Sequence, residues 1–343
     1  MATFVSLQDL IGEPEKITEF SFDEQGEILN DRTKNRVFLN SSILTEKNIK
    51  IDLTKNFESY VHKVDEYKKK FRSNMLLDFH RHNEGKMKET LMNADFFITR
   101  GTVSDIAGVN REDAVVFWAF MINGVIIVVK DDENIYNNNL LSSYIGLNFE
   151  NIITSKSGDG EINYDKSVNN WEQYKEIYMT SVYLSCGENI KIAYSCEIDA
   201  FDKNTMMPLE IKTQFGSNSN YNNRKIFGFY KSISVSFQCL LGNIHEVVVG
   251  YKTNCNVVYS VKKYPVEHIL HHSVMNVVRK CCSRLGNNLD KIKKLLASKN
   301  NKGFFKIKML PPHDDIITDY FSETVPEIKA FFTKEFCDTF FYD

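Results

Sequence analysis

Apolar positions along the chain predict an alternation of strands and helices. Residues 114–129, AVVFWAFMINGVIIVV, form two apolar runs divided by Asn123-Gly124. Asn-Gly between apolar runs is the strongest short-range hairpin signal, so two buried strands are expected there. Helical spacing first appears from Thr54, with Phe57, Tyr60, Val61, Val64, Tyr67 and Phe71 on one stripe. Further helices are expected over residues 143–153, over Trp171 to Val182 (Tyr174, Ile177 and Tyr178 between), and over Asn223 to Leu241, ending at Gly242. The same spacing predicts helices from Pro265 to about Ala297 and from Val325 to Phe340. Strands are expected near 96–103, 190–200, 208–214, 246–251, 257–263 and 304–309, and the first 50 residues read as irregular with short strands. No internal repeat is visible. The mixture is α/β or mixed α+β: one large domain over residues 1–343, with mixed β-sheets flanked by helices.

Composition agrees with a large core, since 43% of residues are hydrophobic and only 6 are proline, with no linker-like stretch. The longest apolar run, 114–129, is shorter than the ~20 residues of a membrane-spanning helix. The 7 cysteines are odd in number and contain no C-x-x-C, which reads as reduced intracellular thiols. The opening residues Met1 to Asp9 lack the basic and apolar regions of a signal peptide. A nuclear or cytoplasmic location is therefore expected, with Lys68 to Arg72 as a candidate import segment whose simpler reading is a solvated helix face.

Formal net charge is −3, which excludes a cationic nucleic-acid coat. That near-balance is uneven. Residues 279–308 hold ten Lys/Arg against one acid, a net +9, leaving −12 for the rest of the chain. This block reads either as a solvated helix and loop or as a rim facing phosphate.

The chemistry concentrates in residues 195–214, SCEIDAFDKNTMMPLEIKTQ. On one strand Glu197 and Asp199 would share a face, with Ile198 turned into the core. Glu210, Ile211 and Lys212 repeat the arrangement, and Asp202-Lys203-Asn204 supplies turn residues for a hairpin. Three carboxylates on one surface repel one another, and a hard divalent cation such as Mg²⁺ or Mn²⁺ would relieve that repulsion. The simpler reading is a hairpin with exposed cross-strand ion pairs.

With ten residues between Asp199 and Glu-x-Lys, the segment resembles the PD-(D/E)XK nuclease superfamily. In that chemistry an acidic pair holds the metal and the lysine positions the nucleophile or binds phosphate. Four further features extend the likeness, with φ an apolar residue: Arg100-Gly101; a helical G-φ-x-φ-E segment, Gly146 to Glu150; a helix glutamine, Gln238; and a φ-φ-φ-G strand, Val247 to Gly250. In this order, around E-φ-D and E-φ-K, they resemble the DXO family of decapping exoribonucleases. One departure is Phe229 and Tyr230, where that family often has tryptophan.

The resemblance implies metal ligation by Glu150, Asp199, Glu210 and the Ile211 backbone carbonyl, with Glu197 ligating directly or through water. It implies that Lys212 and Gln238 contact the scissile phosphate and that Arg100 binds phosphate or the 5′ end. The implied activity is hydrolysis of RNA 5′ ends: decapping, removal of NAD-type caps, pyrophosphate release or 5′→3′ exonucleolysis. The implied partners are RNA 5′ ends and a 5′→3′ exoribonuclease, with no membrane, and the chain is expected to act as a monomer. Two other readings stand beside this one: a catalytically silent member that binds RNA ends or a nuclease partner, and a DNA nuclease of the wider superfamily. His268, His271 and His272 form H-x-x-H-H without an acidic or cysteine partner at metal-binding spacing, and read as a surface or partly buried cluster. No phosphate-binding G-x-x-x-x-G-K-[S/T] loop is present. Nor is the acidic helix of Nudix hydrolases.

Overall fold

The computed structural model describes residues 7–82, 86–109, 112–131, 140–159, 162–166, 168, 171–216 and 226–342. Its strands form two sheets. In spatial order the larger sheet holds β1 (Glu15–Phe22), β8 (Gln173–Tyr183), β9 (Asn189–Glu197), β4 (Phe96–Thr99), β6 (Val125–Lys130), β5 (Val115–Ile122), β14 (Phe304–Met309) and β15 (Ile316–Phe321). The smaller runs β3 (Ile51–Asp52), β13 (Val257–Pro265), β12 (Glu246–Lys252), β11 (Pro208–Phe215), β10 (Ala200–Phe201), β2 (Phe38–Leu39) and β7 (Thr154–Ser155). Both are mixed: β4 lies parallel to β6 and β9, β11 parallel to β12 and β10 parallel to β2, among antiparallel pairs. The helices are α1 (Asp65–His82), α2 (Met87–Thr90), α3 (Arg100–Ile106), α4 (Leu140–Ile153), α5 (Phe229–Leu241), α6 (His272–Ala297), α7 (Pro326–Ala330) and α8 (Lys334–Phe340).

The Asn-Gly signal is realised as the β5–β6 hairpin. Ile122 pairs with Val125, and both turn residues have positive φ, 48° at Asn123 and 77° at Gly124. The helix expected over 171–182 is instead β8. Its sheet is covered on both faces, so Tyr174 and Tyr178 pack into one core while Ile177 packs into the other. A strand buried on both faces loses its polar alternation, and its apolar positions then mimic helical spacing. The first helix begins at Asp65 rather than Thr54. The last splits into α7 and α8, with the Thr333 hydroxyl capping α8 by accepting from the Phe336 N–H. α5 begins at Phe229; the expected start at Asn223 falls outside the described residues.

α5 joins the two layers. Ile233, Phe237 and Leu241 face the larger sheet, while Val235 and Cys239 face β12 of the smaller one. α4 covers the opposite face of the smaller sheet through Ile145, Phe149, Ile152 and Ile153. Its seat is set by Gly250 on β12, where a Cβ would lie 2.4 Å from the Phe149 ring. Gly250 is thus required by close approach, and it fixes the height of the helix that carries Glu150.

Gly250→Ala is expected to cost about 1–3 kcal/mol through overpacking. The check is a lower denaturant midpoint at unchanged slope, together with weaker divalent-ion binding because Phe149 and Glu150 move as one.

Candidate active site

The expected single strand bearing Glu197 and Asp199 does not exist. β9 ends at Glu197 in the larger sheet, and the chain enters the smaller sheet as β10 at Ala200. Glu197 and Asp199 therefore straddle the crossing between sheets. The expected hairpin shrinks to two pairs, Ala200 with Leu209 and Phe201 with Pro208. Beyond Leu209, β11 leaves β10, and the Asp199 carboxylate takes up the Ile211 N–H at 2.8 Å.

Glu210 is 1% exposed, and its carboxylate holds Arg100 Nη1 at 3.1 Å together with the Lys212 ammonium. Lys212 also lies 3.5 Å from Asp199. Arg100 is not a strand residue: it opens α3, which Thr99 caps by accepting from the Thr102 N–H. Glu150 arrives from the last turn of α4 and sits in the field of Asp199, Lys212, Glu197 and Glu210. The Ile211 carbonyl follows the N–H that Asp199 occupies, on the same strand edge. Four side chains from three elements thus converge with Glu150 on one buried locus.

Three carboxylates, Glu150, Asp199 and Glu210, face two cations there, and the charge states show the excess. Burial, with Asp199 next, pushes the Glu150 carboxyl well up. The α4 C-terminus, the negative end of that helix, adds to the same effect. Burial and Glu210 push Asp199 up to about 6. Burial opposes ionisation of Glu210 too, but Lys212 and Arg100 outweigh it and hold its carboxyl below the usual range. Among the described residues no three His, Cys, Asp or Glu side chains converge as a ready-made metal cage, and Lys212 and Arg100 occupy the Glu210 oxygens. The donor set nonetheless fits a hard divalent cation: oxygen ligands only, and more carboxylates than internal cations.

Glu197 turns away from Asp199 into a neighbouring recess, where it accepts from Gln173 at 2.8 Å and Lys175 at 3.2 Å. Burial opposes its ionisation, but Lys175 and Lys63 hold the carboxyl at about 2. The recess is a cavity of ≈ 300 Å³ with Lys63, Lys68, Arg72 and Lys175 in its wall and Phe71 and Phe97 behind them. Gly101 lines it as well, and a Cβ there would meet nothing within 4 Å, so the motif glycine leaves the cavity open. This cavity was not visible in the sequence, because its wall is drawn from Lys63 and α1, β4, α3, β6, β8 and β9 together.

Gln238 is half-buried on α5, and its Oε1 is buried with no partner among the described residues. The next residue, Cys239, feels Glu210, Lys212 and Arg100, so α5 passes beside the carboxylates at this point. Burial pushes the Cys196 thiol up to about 12, leaving it protonated and non-nucleophilic. The three histidines lie apart from the site: His271 precedes α6 with Nδ1 3.0 Å from the Ser273 hydroxyl, and His272 contacts Asn276. Among the described residues, four of the block's ten Lys/Arg form ion pairs. Arg284 pairs with Asp314, Lys293 with Asp95, Lys294 with Asp290 and Lys306 with Asp131.

A family model described as RAI1 like PD-(D/E)XK nuclease matches residues 12–337. No curated protein sequence matches significantly. Solved structures of similar fold include Scheffersomyces stipitis Rai1 in complex with (3′-NADP)+ and calcium ion, 19% identical with TM-score 0.69 over 97% of each chain. Candida albicans Rai1 in complex with pU5-Mn2+ is 18% identical, with TM-score 0.66 over 98% of each chain. K. lactis Dxo1 in complex with manganese is 15% identical, with TM-score 0.64 over 92% of this chain and 91% of that one.

The raised carboxyl of Asp199 makes a stability prediction. Its neutral form is favoured in the fold, so its contribution is fully present below about pH 4 and is lost as pH rises through about 6. Without divalent ions, D199N should therefore match wild type near pH 4 and exceed it at pH 8 by on the order of 2–3 kcal/mol. Saturating Mn²⁺ should raise the wild-type melting temperature at pH 8 and leave D199N nearly unmoved. Thermal scans with and without chelator check both.

Proposed function

Because the chain belongs to the RAI1-like PD-(D/E)XK nuclease family, we propose that it is a divalent-metal-dependent hydrolase of RNA 5′ ends, acting in 5′-end quality control. The observation that carries this reading is a lysine-walled cavity lined by Glu197, two residues from Asp199, beside a carboxylate site with more acids than internal cations. Glu150, Asp199, Glu210 and the Ile211 carbonyl would hold Mg²⁺ or Mn²⁺, with Glu197 ligating directly or through water from the cavity side. A bound divalent ion would lower the pKa of water and offset charge on phosphoryl oxygens.

The chain's own groups do the rest. The Lys212 ammonium, held protonated by Glu210, Asp199 and Glu150, supplies positive charge where the scissile phosphate gains negative charge. Arg100 is anchored by Glu210 and points a fixed guanidinium at the same locus, suited to a phosphate or the 5′ terminus. The orphaned amide oxygen of Gln238 is available to a polar group of the substrate.

The cavity of ≈ 300 Å³ is at the small end of ligand pockets and suits one terminal group, anionic enough to answer its lysines. The ligands named for the Rai1 relatives, pU5 and (3′-NADP)+, support RNA and nicotinamide-dinucleotide ends as the substrate class. Decapping, NAD-cap removal, pyrophosphate release and 5′→3′ exonucleolysis are all compatible with this arrangement.

The test is a panel of one RNA carrying hydroxyl, monophosphate, triphosphate, guanosine-cap and NAD 5′ ends, with Mg²⁺ or Mn²⁺. Hydrolysis of at least one modified end is expected, with E150A, D199A or E210A lowering it by roughly a hundredfold or more. Wild-type protein that leaves every end intact would sink the enzymatic reading. Gly101→Val is expected to reduce turnover by filling the cavity while leaving the melting temperature unchanged.

A further inference from the structure

The strand at the end of a sheet lacks a neighbour, and its unpaired N–H and C=O groups invite another chain unless something blunts them. Three of the four sheet ends among the described residues are blunted. The smaller sheet ends in β3 and β7, each two residues long. The larger sheet begins at β1, whose register against β8 shifts between Lys16 and Thr18. Lys16 is held there by Glu19 at 2.7 Å and Glu176 at 2.6 Å, so charge guards the same edge. β15, at the other end, has none of these devices. Its six residues pair with β14 without a break, from Ile316 opposite Met309 to Phe321 opposite Phe304. It contains no proline, lysine or arginine, and Asp319 is its one charge. Ile317 is 52% exposed and Tyr320 40%. On the α6 face, Ile316 packs into the core, Thr318 lies opposite Ile307, and the Tyr320 ring sits 5.1 Å from Phe305. On the other face, Ile317 and Asp319 lie opposite Lys308 and Lys306.

We propose that β15 pairs antiparallel with β15 of a second copy of this chain, joining two larger sheets edge to edge about a two-fold axis. This goes beyond the hydrolase reading and does not depend on it. A two-fold axis perpendicular to the sheet keeps every residue on its own face, so the register can change only in steps that preserve the faces. Centring the axis on Thr318 sets Thr318 against its copy, Ile316 against Tyr320 of the second copy, and Ile317 against Asp319 of the second copy. Thr–Thr and aliphatic–aromatic pairs are both favourable across strands. Moving the axis to Asp319 would set two carboxylates against each other. Moving it to Ile317 would set Asp315 against Asp319 of the second copy. Like charges directly opposite are destabilising, so charge selects the register centred on Thr318. A basic peptide strand suits the edge less well, because Lys306 and Lys308 flank it on one face and Lys299 lies 4.9 Å from the Tyr320 ring centre on the other. β15 stands four strands from β4. At about 4.8 Å per strand that is roughly 19 Å, so the pairing leaves both carboxylate sites open. Six residues a side make a small interface, and the dimer is expected in the roughly micromolar range. The monomer expected from the sequence would then hold only at low concentration.

The first measurement is sedimentation velocity from about 1 to about 300 micromolar chain, the range in which a small interface assembles. Wild type should pass from monomer to dimer. Ile317→Lys places on β15 the charge that guarded edges carry, and should keep the chain monomeric throughout. Lys302→Ala, outside the strand, should dimerise as wild type. Melting temperatures equal to wild type at the lowest concentration confirm that the variants fold. The second measurement reads the register by oxidation, in a background where the exposed Cys186 and Cys255 are replaced by serine. Thr318→Cys should give a disulfide-linked dimer, since directly opposed strand residues lie about 5 Å apart between Cα atoms. Ile317→Cys should not, because the two copies of that position are offset along the strands by two residues, about 8 Å apart and beyond disulfide reach.

A wild-type chain that stays monomeric at every concentration would overturn the proposal, including the case in which this edge receives a strand of a different protein. A dimer that Ile317→Lys leaves intact would overturn it too, since the contact would then lie on another surface. Cross-linking of Ile317→Cys that outpaces Thr318→Cys would overturn the register and with it the charge argument. Loss of hydrolysis on every RNA end leaves each of these readouts unchanged, so failure of the enzymatic reading is distinguishable.

Discussion

A carboxylate with almost no access to water organises this molecule. Glu210 is tolerable inside the protein only because Arg100 and Lys212 meet it, and each partner comes with an element attached. Arg100 brings α3 from the end of β4 in the larger sheet, and Lys212 belongs to β11 of the smaller one. The ion pairs therefore tie the two sheets together at the point where the chain crosses between them. Removing one partner of such a pair leaves a buried charge uncompensated, a cost of about 3–5 kcal/mol, so the site is structural as well as chemical.

The compensation is incomplete by design of the neighbourhood. Glu150 and Asp199 add two acids to a locus that holds only two cations, and their raised carboxyls store the mismatch. A site balanced by internal salt bridges alone would have no use for a metal. This one has an excess of oxygen donors whose repulsion a divalent ion removes. The packing around it is equally particular: Gly250 lets Phe149 down onto β12, which sets the level of Glu150, and α5 threads between the sheets so that Lys231 reaches β11.

The E-φ-D and E-φ-K pairs, Arg100, Glu150 and Gln238 were legible from residue types in order along the chain, and so was the Asn-Gly hairpin. Their placement was not. Strict alternation put Glu197 and Asp199 on one face, whereas the strand stops at Glu197 and the sheet changes before Ala200. β8 read as a helix because both its faces are buried. The +9 block read as a possible phosphate rim, but Asp95, Asp131 and Asp314, distant in sequence, answer several of its charges. Local patterns report local geometry; they carry no record of which distant acid meets which base.

By itself the sequence determined the chemistry available: oxygen ligands at short spacing, a lysine beside them, an arginine followed by glycine, and apolar runs sufficient for buried strands. Spacing along a backbone of known rise settles such things. Only the tertiary structure decided that Glu197 faces a lysine-walled cavity while Asp199 faces Ile211. Those juxtapositions join residues far apart in the chain, and burial and pairing across the sheet crossing, not periodicity, bring them together.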